Sequence, residues 1–348
     1  MRRSRVPWLV LTGVCLLATG ACSASPSPVS AVSPASVAAA PTSAAPTPAP
    51  SPTPTLPADA SPLSGRAGGA GKRVLVVKFD NTTGAQPHAG LRDADVVYIE
   101  EVEGGLTRIA AVFSTTLPTV VGPVRSARIS DIDLLEQYGK PAFAYSGAQH
   151  KMLPILAAAS LYDVSDTGGR GFYRDHKRRS PYNLMAHPAE LLRRAPHASK
   201  AQPIGFQFSL QPLAGGRRAT SVTVRYPASS AQFTWSSARS SYDVRLNARP
   251  ARAAEGGTQH ATTVVIQYVR QHDSGFGDRY GGRTPKEETI GTGTGWVLRD
   301  GRAYPVTWIR PTGTAGTTFL DAAGEVVPFA VGQVWVVLVN SRTKAIIG

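Results

Sequence analysis

The sequence predicts an α+β protein: a mixed α/β N-terminal domain followed by a smaller β-rich C-terminal domain. Three observations lead there. Apolar runs of strand length recur throughout residues 73–348. Helical patterns interrupt them only before residue 200. Four of the five tryptophans, Trp235, Trp296, Trp308 and Trp335, fall in the second half, where they suit aromatic packing in a small sheet or barrel, or a glycan platform. A hydrophobic content of 42% fits a globular protein, and 348 residues leave room for two modest domains or one large one.

The first 72 residues are set aside from that fold. Residues 1–21 read as a lipoprotein signal peptide, with Arg2, Arg3 and Arg5 ahead of an apolar stretch from Val6 to Ala21. That stretch is shorter than the ~20 residues a membrane-spanning helix needs. It ends in Thr19-Gly20-Ala21-Cys22, small residues before a cysteine, which points to lipidation of Cys22 and a membrane anchor with a palmitate-type acyl chain. Residues 22–72 are rich in Ala, Ser, Pro and Thr and read as a disordered tether.

The folded elements follow in order, with an N-terminal domain expected over 73–200 and a C-terminal one over 201–348. Val74 to Phe79 is an apolar strand ended by the turn chemistry of Asp80-Asn81-Thr82-Thr83-Gly84. Val96 to Ile99 and Arg108 to Phe113 are two more strands, separated by Gly104-Gly105. A helix follows the Gly122-Pro123 loop, with Ile129, Ile132, Leu134 and Leu135 on roughly one face and Asp131 in its first turn. Pro141 to Tyr145 reads as a strand and Lys151 to Leu161 as a helix with Pro154 in its first turn. In the second half Val222–Tyr226 and Thr262–Val269 are strands. A hairpin turns at Asp300-Gly301 and another at Ala323-Gly324. Val334 to Val339 is a buried strand of six apolar residues. Gly291 to Gly295 reads as a glycine turn or bulge between strands, not as a dinucleotide fingerprint.

Several stretches together resemble one family. They are Asp80-Asn81, Ala94 to Tyr98, Val102-Glu103-Gly104-Gly105-Leu106-Thr107-Arg108, Gly122-Pro123-Val124-Arg125-Ser126-Ala127-Arg128, Phe172 to Asp175 and Pro181 to Leu184. The chain is similar in them, and in a C-terminal Gly/Trp series, to the YerB-like bacterial lipoproteins. The resemblance implies an N-terminal α+β domain and a smaller C-terminal domain on an anchored lipoprotein, and implies no activity. Tyr145 and Tyr182 stand where relatives tend to have histidine, so these positions supply no histidine acid, base or ligand.

Chemistry then rests on arginine and carboxylate. The two cysteines, Cys15 and Cys22, both precede the folded part, which excludes a disulfide scaffold, a thiol nucleophile and thiolate metal sites there. No cofactor and no metal site is expected. Arg108, Arg125, Ser126, Arg128 and Arg174 sit in the matched motifs and are the candidate anion-binding residues; Arg125 and Arg128 precede a helix start, whose free N–H groups suit an anion. Asn81, Glu103, Asp131 and Asn183 are candidate structural or acid/base residues. The structural alternative is that the arginines pair with Glu103, Asp131 or Asp133 and order the fold.

Net charge is +14, and 32 basic against 22 acidic residues follow position 72. That excess reads either as a composition bias toward arginine or as a surface that attracts polyanions. The densest basic stretch runs from Arg170 to Arg179. An extracytoplasmic location disfavours nucleic acid. Ser146 with His150 lacks both a nucleophile elbow and an orienting acid. The expected function is therefore a non-catalytic envelope binding module whose ligand is an anionic wall polymer or lipid-linked glycan. An enzyme acting on phosphate-bearing envelope polymers and a scaffold for another envelope protein are the alternatives.

Overall fold

The computed structural model describes residues 55–278 and 281–348. Cys22 and the signal peptide lie outside the described residues. Strands dominate both halves. The helices are short: α1 Ser130–Leu135, α2 Leu153–Ala158 and α3 Pro188–Arg194. The mixed α/β reading of the first half is thus corrected toward β. The helix expected over Lys151–Leu161 shrinks because Ala159 turns extended right after α2.

The main sheet is built from both halves of the chain. From the first come β1 (Leu75–Asp80), β2 (Val96–Glu101), β3 (Thr107–Phe113), β4 (Ala142–Ala144) and β5 (Tyr162–Asp163). From the second come β6 (Thr263–Gly277), β7 (Arg283–Glu288), β8 (Gly291–Arg299), β9 (Arg302–Arg310), β10 (Thr318–Leu320) and β11 (Val334–Asn340). The order is β10-β9-β8-β6-β11-β2-β3-β1-β4-β5, and β7 pairs with the far end of β6. The halves join where β11 runs parallel to β2, from Val96 opposite Val334 to Ile99 opposite Val337. The all-apolar run of β11 is what a strand buried on both faces needs. A smaller antiparallel sheet holds Ser221–Arg225, Ser230–Ser236 and Ser241–Leu246, whose alternating burial shows one face on the core.

Two apolar clusters cover the two faces of the main sheet. Leu75, Val77 and Phe79 pack with Val97, Ile99, Ile109 and the smaller sheet's Phe233 and Tyr242. Val74, Val76, Val96, Tyr98, Ala110 and Val112 face α1 and Tyr138. Trp308 and Trp335 are core residues, which removes them from any glycan platform.

Two expectations change. The tether reading extends too far: Leu63 is fully buried, and the Ser64 hydroxyl donates to buried Asp95 at 2.5 Å. Small residues let this segment lie close against the core, a fit that a composition reading takes for disorder. Gly291 to Gly295 lies inside β8 rather than forming a turn. A Cβ on Gly293 would come within 2.6 Å of the Trp308 ring, and one on Gly295 within 2.4 Å of the Ile266 carbonyl oxygen. These glycines serve close approach of neighbouring groups.

Candidate functional site

Strand parity places charge on one face of the sheet. Side chains alternate along a strand, so Lys78 and Asp80 of β1 share the face of Val76. Glu100 joins them from β2, and Arg108 stands opposite Asp80 on one side and Glu100 on the other. Helix α1 and the Ala127 end of the loop before it lie over this face, and the charges divide into two groups.

The inner group is sealed. Lys78 Nζ is 2.8 Å from Glu100 Oε1 and 2.6 Å from Asp131 Oδ1, and all three side chains have 0% exposure. Glu287 of β7 enters from the side and is also fully buried; its Oε1 accepts the Glu101 N–H at 3.0 Å and the Gln271 amide at 3.1 Å. One lysine faces three carboxyls. Burial, then the Asp131 charge, pushes Glu100 up to about 8. Burial and Glu100 push Glu287 well above the carboxylate range. Burial alone would depress Lys78, but Asp131 and Glu100 outweigh it and hold the ammonium charged. The consistent state is Lys78 charged, with Glu100 and Glu287 protonated.

The outer group reaches solvent. Asp80 Oδ2 accepts Arg125 Nε at 2.6 Å, Arg108 Nη1 lies 3.7 Å from Asp80 Oδ1, and the Thr82 N–H and hydroxyl donate to the same Oδ1 at 2.7 and 2.6 Å. Burial would raise Asp80, but Arg108, the Thr82 bonds and Arg125 hold it below its ordinary value. Arg128 donates from Nε and Nη2 to Glu103 Oε2 at 3.0 and 2.7 Å, and from Nη1 to the Ser126 and Ala127 carbonyls at 3.2 and 2.9 Å. The Thr284 hydroxyl donates to the other oxygen of Glu103. Burial would raise Glu103 as well; Arg128 and Thr284 hold it low and ionised. Arg108 is 6% exposed, and its Nε–H has no partner. Burial depresses it to about 10, and Arg128 and Arg125 add repulsion that Asp80 opposes.

A cavity of about 380 Å³ opens beside this outer group, its lining including Glu103, Ser126, Arg128, Asp278, Thr284 and the apolar Met152 and Phe276. The three guanidiniums of Arg108, Arg125 and Arg128 thus stand near three carboxylates, Asp80, Glu103 and Asp278. The Arg108 Nε–H is a buried donor awaiting an acceptor.

The residues singled out by sequence fall in different places. Arg108, Arg125 and Arg128 come together, and Glu103 is among them. Ser126 lines the cavity but donates its hydroxyl to the Ser146 carbonyl at 2.8 Å. Asp131 is inside, with Lys78 on one oxygen and the Arg128 N–H on the other at 2.6 Å. The Arg128 N–H ahead of the helix is thus taken by Asp131, and α1 is only six residues long, so the helix terminus is not the anion site. Arg174 bonds Asn183 Oδ1 at 2.9 Å on a separate hairpin. Asn81 donates to the Thr107 hydroxyl at 2.8 Å, and its carbonyl accepts Asn247 from the second half at 2.8 Å, a staple between halves. Sequence reasoning missed Lys78, Asp80, Glu100 and Glu287 as site residues. The signal was there for three of them: charges in otherwise apolar strands, in one parity.

Comparison with known proteins places this architecture. Residues 63–202 match the profile described as the N-terminal domain of a protein of unknown function (DUF3048), and residues 222–336 match that of its C-terminal domain. A Bacillus subtilis (strain 168) protein named "Putative lipoprotein YerB" is 33% identical over 115 residues, which are 32% of this chain and 34% of that protein. The aligned part is therefore about a third of that curated relative's length. The crystal structure of the YerB protein from Bacillus subtilis superposes with a TM-score of 0.69 at 21% identity, covering 83% of this chain and 99% of that one. At that identity the likeness is one of fold. Among the described residues no helix is long and apolar enough to cross a membrane.

Proposed function

The chain belongs to the DUF3048 family, and on that premise we propose that it is a membrane-anchored extracytoplasmic lipoprotein that binds an anionic envelope ligand without turning it over. The ligand class is a phosphate-bearing wall polymer or lipid-linked glycan, and Cys22 carries the anchor. One observation carries the reading: Arg108, Arg125 and Arg128 converge beside an open cavity, and the buried Nε–H of Arg108 is unsatisfied. A phosphate oxygen that reaches it would satisfy that donor. The apolar wall at Met152 and Phe276 suits a ligand with a non-polar portion next to its anionic group.

Turnover has less support. A proton donor near neutrality is needed on the cavity wall. Glu103, which lines that wall, is held ionised by Arg128, and Glu100, whose carboxyl does keep its proton, has no solvent access.

Thermal unfolding of the purified soluble chain against phosphate-bearing wall polymers and polyprenyl phosphates tests the proposal. At 100 times its Kd a ligand adds about 2.7 kcal/mol. The expected result is a shift in wild type that disappears in Arg125→Ala, whose side chain is 27% exposed and removable without a buried void. An equal shift in wild type and Arg125→Ala would sink the proposal.

A further inference from the structure

A second cationic cavity lies on the other side of the junction between the halves. It has a volume of about 240 Å³ and is lined by Arg66, Arg92, Arg239, Ser241, His260, Thr262 and Gln333. None of these seven is acidic. The three arginines come from unrelated segments: the stretch after buried Leu63, the turn Leu91–Asp93, and the hairpin turn before Ser241–Leu246. Their side chains are held differently. Arg239 pairs with Asp243, which also meets His260 Nδ1 at 3.1 Å. Arg92 donates to the Gly256 carbonyl at 2.8 Å, and Arg66 makes only long contacts, 3.5 and 3.4 Å, to the carbonyls of Asp93 and Ala94. The Asp93 carboxyl interacts with Arg66 and Arg92, and burial, then Glu255, raises it above its ordinary value.

Carbonyls orient a guanidinium without neutralising it. Arg66 and Arg92 are therefore positioned and still charged, in a concavity where field lines concentrate. Planar forks from several directions suit a tetrahedral oxyanion better than a single carboxylate. Ser241 and Thr262 add hydroxyls, and His260 adds a ring nitrogen.

We propose that this cavity is a second anion site that takes a phosphate group, held by Arg66, Arg92 and Arg239. It shares no residue with the Arg108–Arg125–Arg128 cluster, so either site can fail without the other. With both present, a polymer carrying repeated phosphates could engage the chain at two points.

The test is titration of the purified soluble chain with inorganic phosphate and, in parallel, dimethyl phosphate, at constant ionic strength set with sodium chloride. The His260 ring resonances report the site. Saturable movement of those resonances with phosphate is expected in wild type and in Arg125→Ala. Arg92→Ala/Arg239→Ala should weaken it at least about tenfold, the loss expected for charge-assisted bonds, and Arg92→Lys/Arg239→Lys should recover only part. Arg239 is 48% exposed and Arg92 is an exposed turn residue, so the fold should survive. Binding of both probes indicates a chain phosphodiester; binding of inorganic phosphate alone indicates a terminal monoester. No saturable movement in wild type, or identical movement in the alanine double variant, overturns the proposal.

Discussion

The two charge groups on the α1 face of the sheet differ in one respect that decides their behaviour. The inner group has one cation, Lys78, for three carboxyls and no solvent exposure. The outer group has three cations, Arg108, Arg125 and Arg128, for Asp80 and Glu103, and opens on a cavity whose wall also carries Asp278. A buried excess of carboxyls resolves itself by keeping protons, since ionising them against desolvation costs more. Arginine has no such recourse, being charged at any working pH. Guanidiniums at a solvent-reached edge stay cationic. The same strand alternation thus yields a sealed, proton-retaining cluster and an arginine-rich one open to solvent within a few residues.

Removing the inner cation should break that contrast with the largest effect. Lys78→Met leaves Asp131 and Glu100 without their partner, and urea unfolding at neutral pH should show a loss of about 3–5 kcal/mol. An unchanged midpoint would mean the cluster is neutral throughout. Removing the outer anchor comes next. Asp80→Asn strips the partner shared by Arg108 and Arg125, with an expected loss of about 2–3 kcal/mol.

The acid limb sharpens the comparison. Asp80 and Glu103 are held below their reference values of 3.8 and 4.5. Stability from a depressed carboxyl is present above its unfolded value and lost as pH falls through the folded one. Wild type should therefore destabilise below about pH 4 more steeply than Asp80→Asn. The inner group has the opposite sign. Glu100 rises from 4.5 to about 8, so folding takes up a proton in that window and stability falls as pH climbs through it. Each unit of that rise is worth about 1.4 kcal/mol. Glu100→Gln should flatten stability between pH 5 and 8; equal slopes in the two proteins would mean Glu100 is ionised throughout. The smallest effect belongs to an exposed pair. Arg239→Ala removes a contact to Asp243 with 48% and 38% exposure, and should change unfolding stability by under about 0.5 kcal/mol.

Much of the fold was legible. Val334–Val339 read as a doubly buried strand because it is apolar at both parities, and Asp300-Gly301 read as a hairpin turn between β8 and β9. The smaller sheet's hairpin from Ser230 to Leu246 was not legible, because its strands mix Ser, Gln, Thr and Arg with few apolar residues and its turn uses Ser240 at a φ of 48°. Of the candidate site, the arginines in the Gly-Pro-Val-Arg and Leu-Thr-Arg stretches were found, and their carboxylate partners only in part. Arg174 and Asn183 were read into the same site, though they bond each other on a separate hairpin.

By itself the sequence determined most of the main sheet's strands, the Asp300-Gly301 turn and the parity that puts Lys78, Asp80, Glu100 and Arg108 on one face, since these depend on local backbone geometry and a period of two. Which half of the chain pairs with which, that β11 inserts beside β2, and that Glu287 comes to lie near Glu100 were decided only in the tertiary structure. The physical reason is separation: those contacts join residues far apart along the chain, and the protonation of a buried carboxyl depends on every charge that folding brings within a few ångströms.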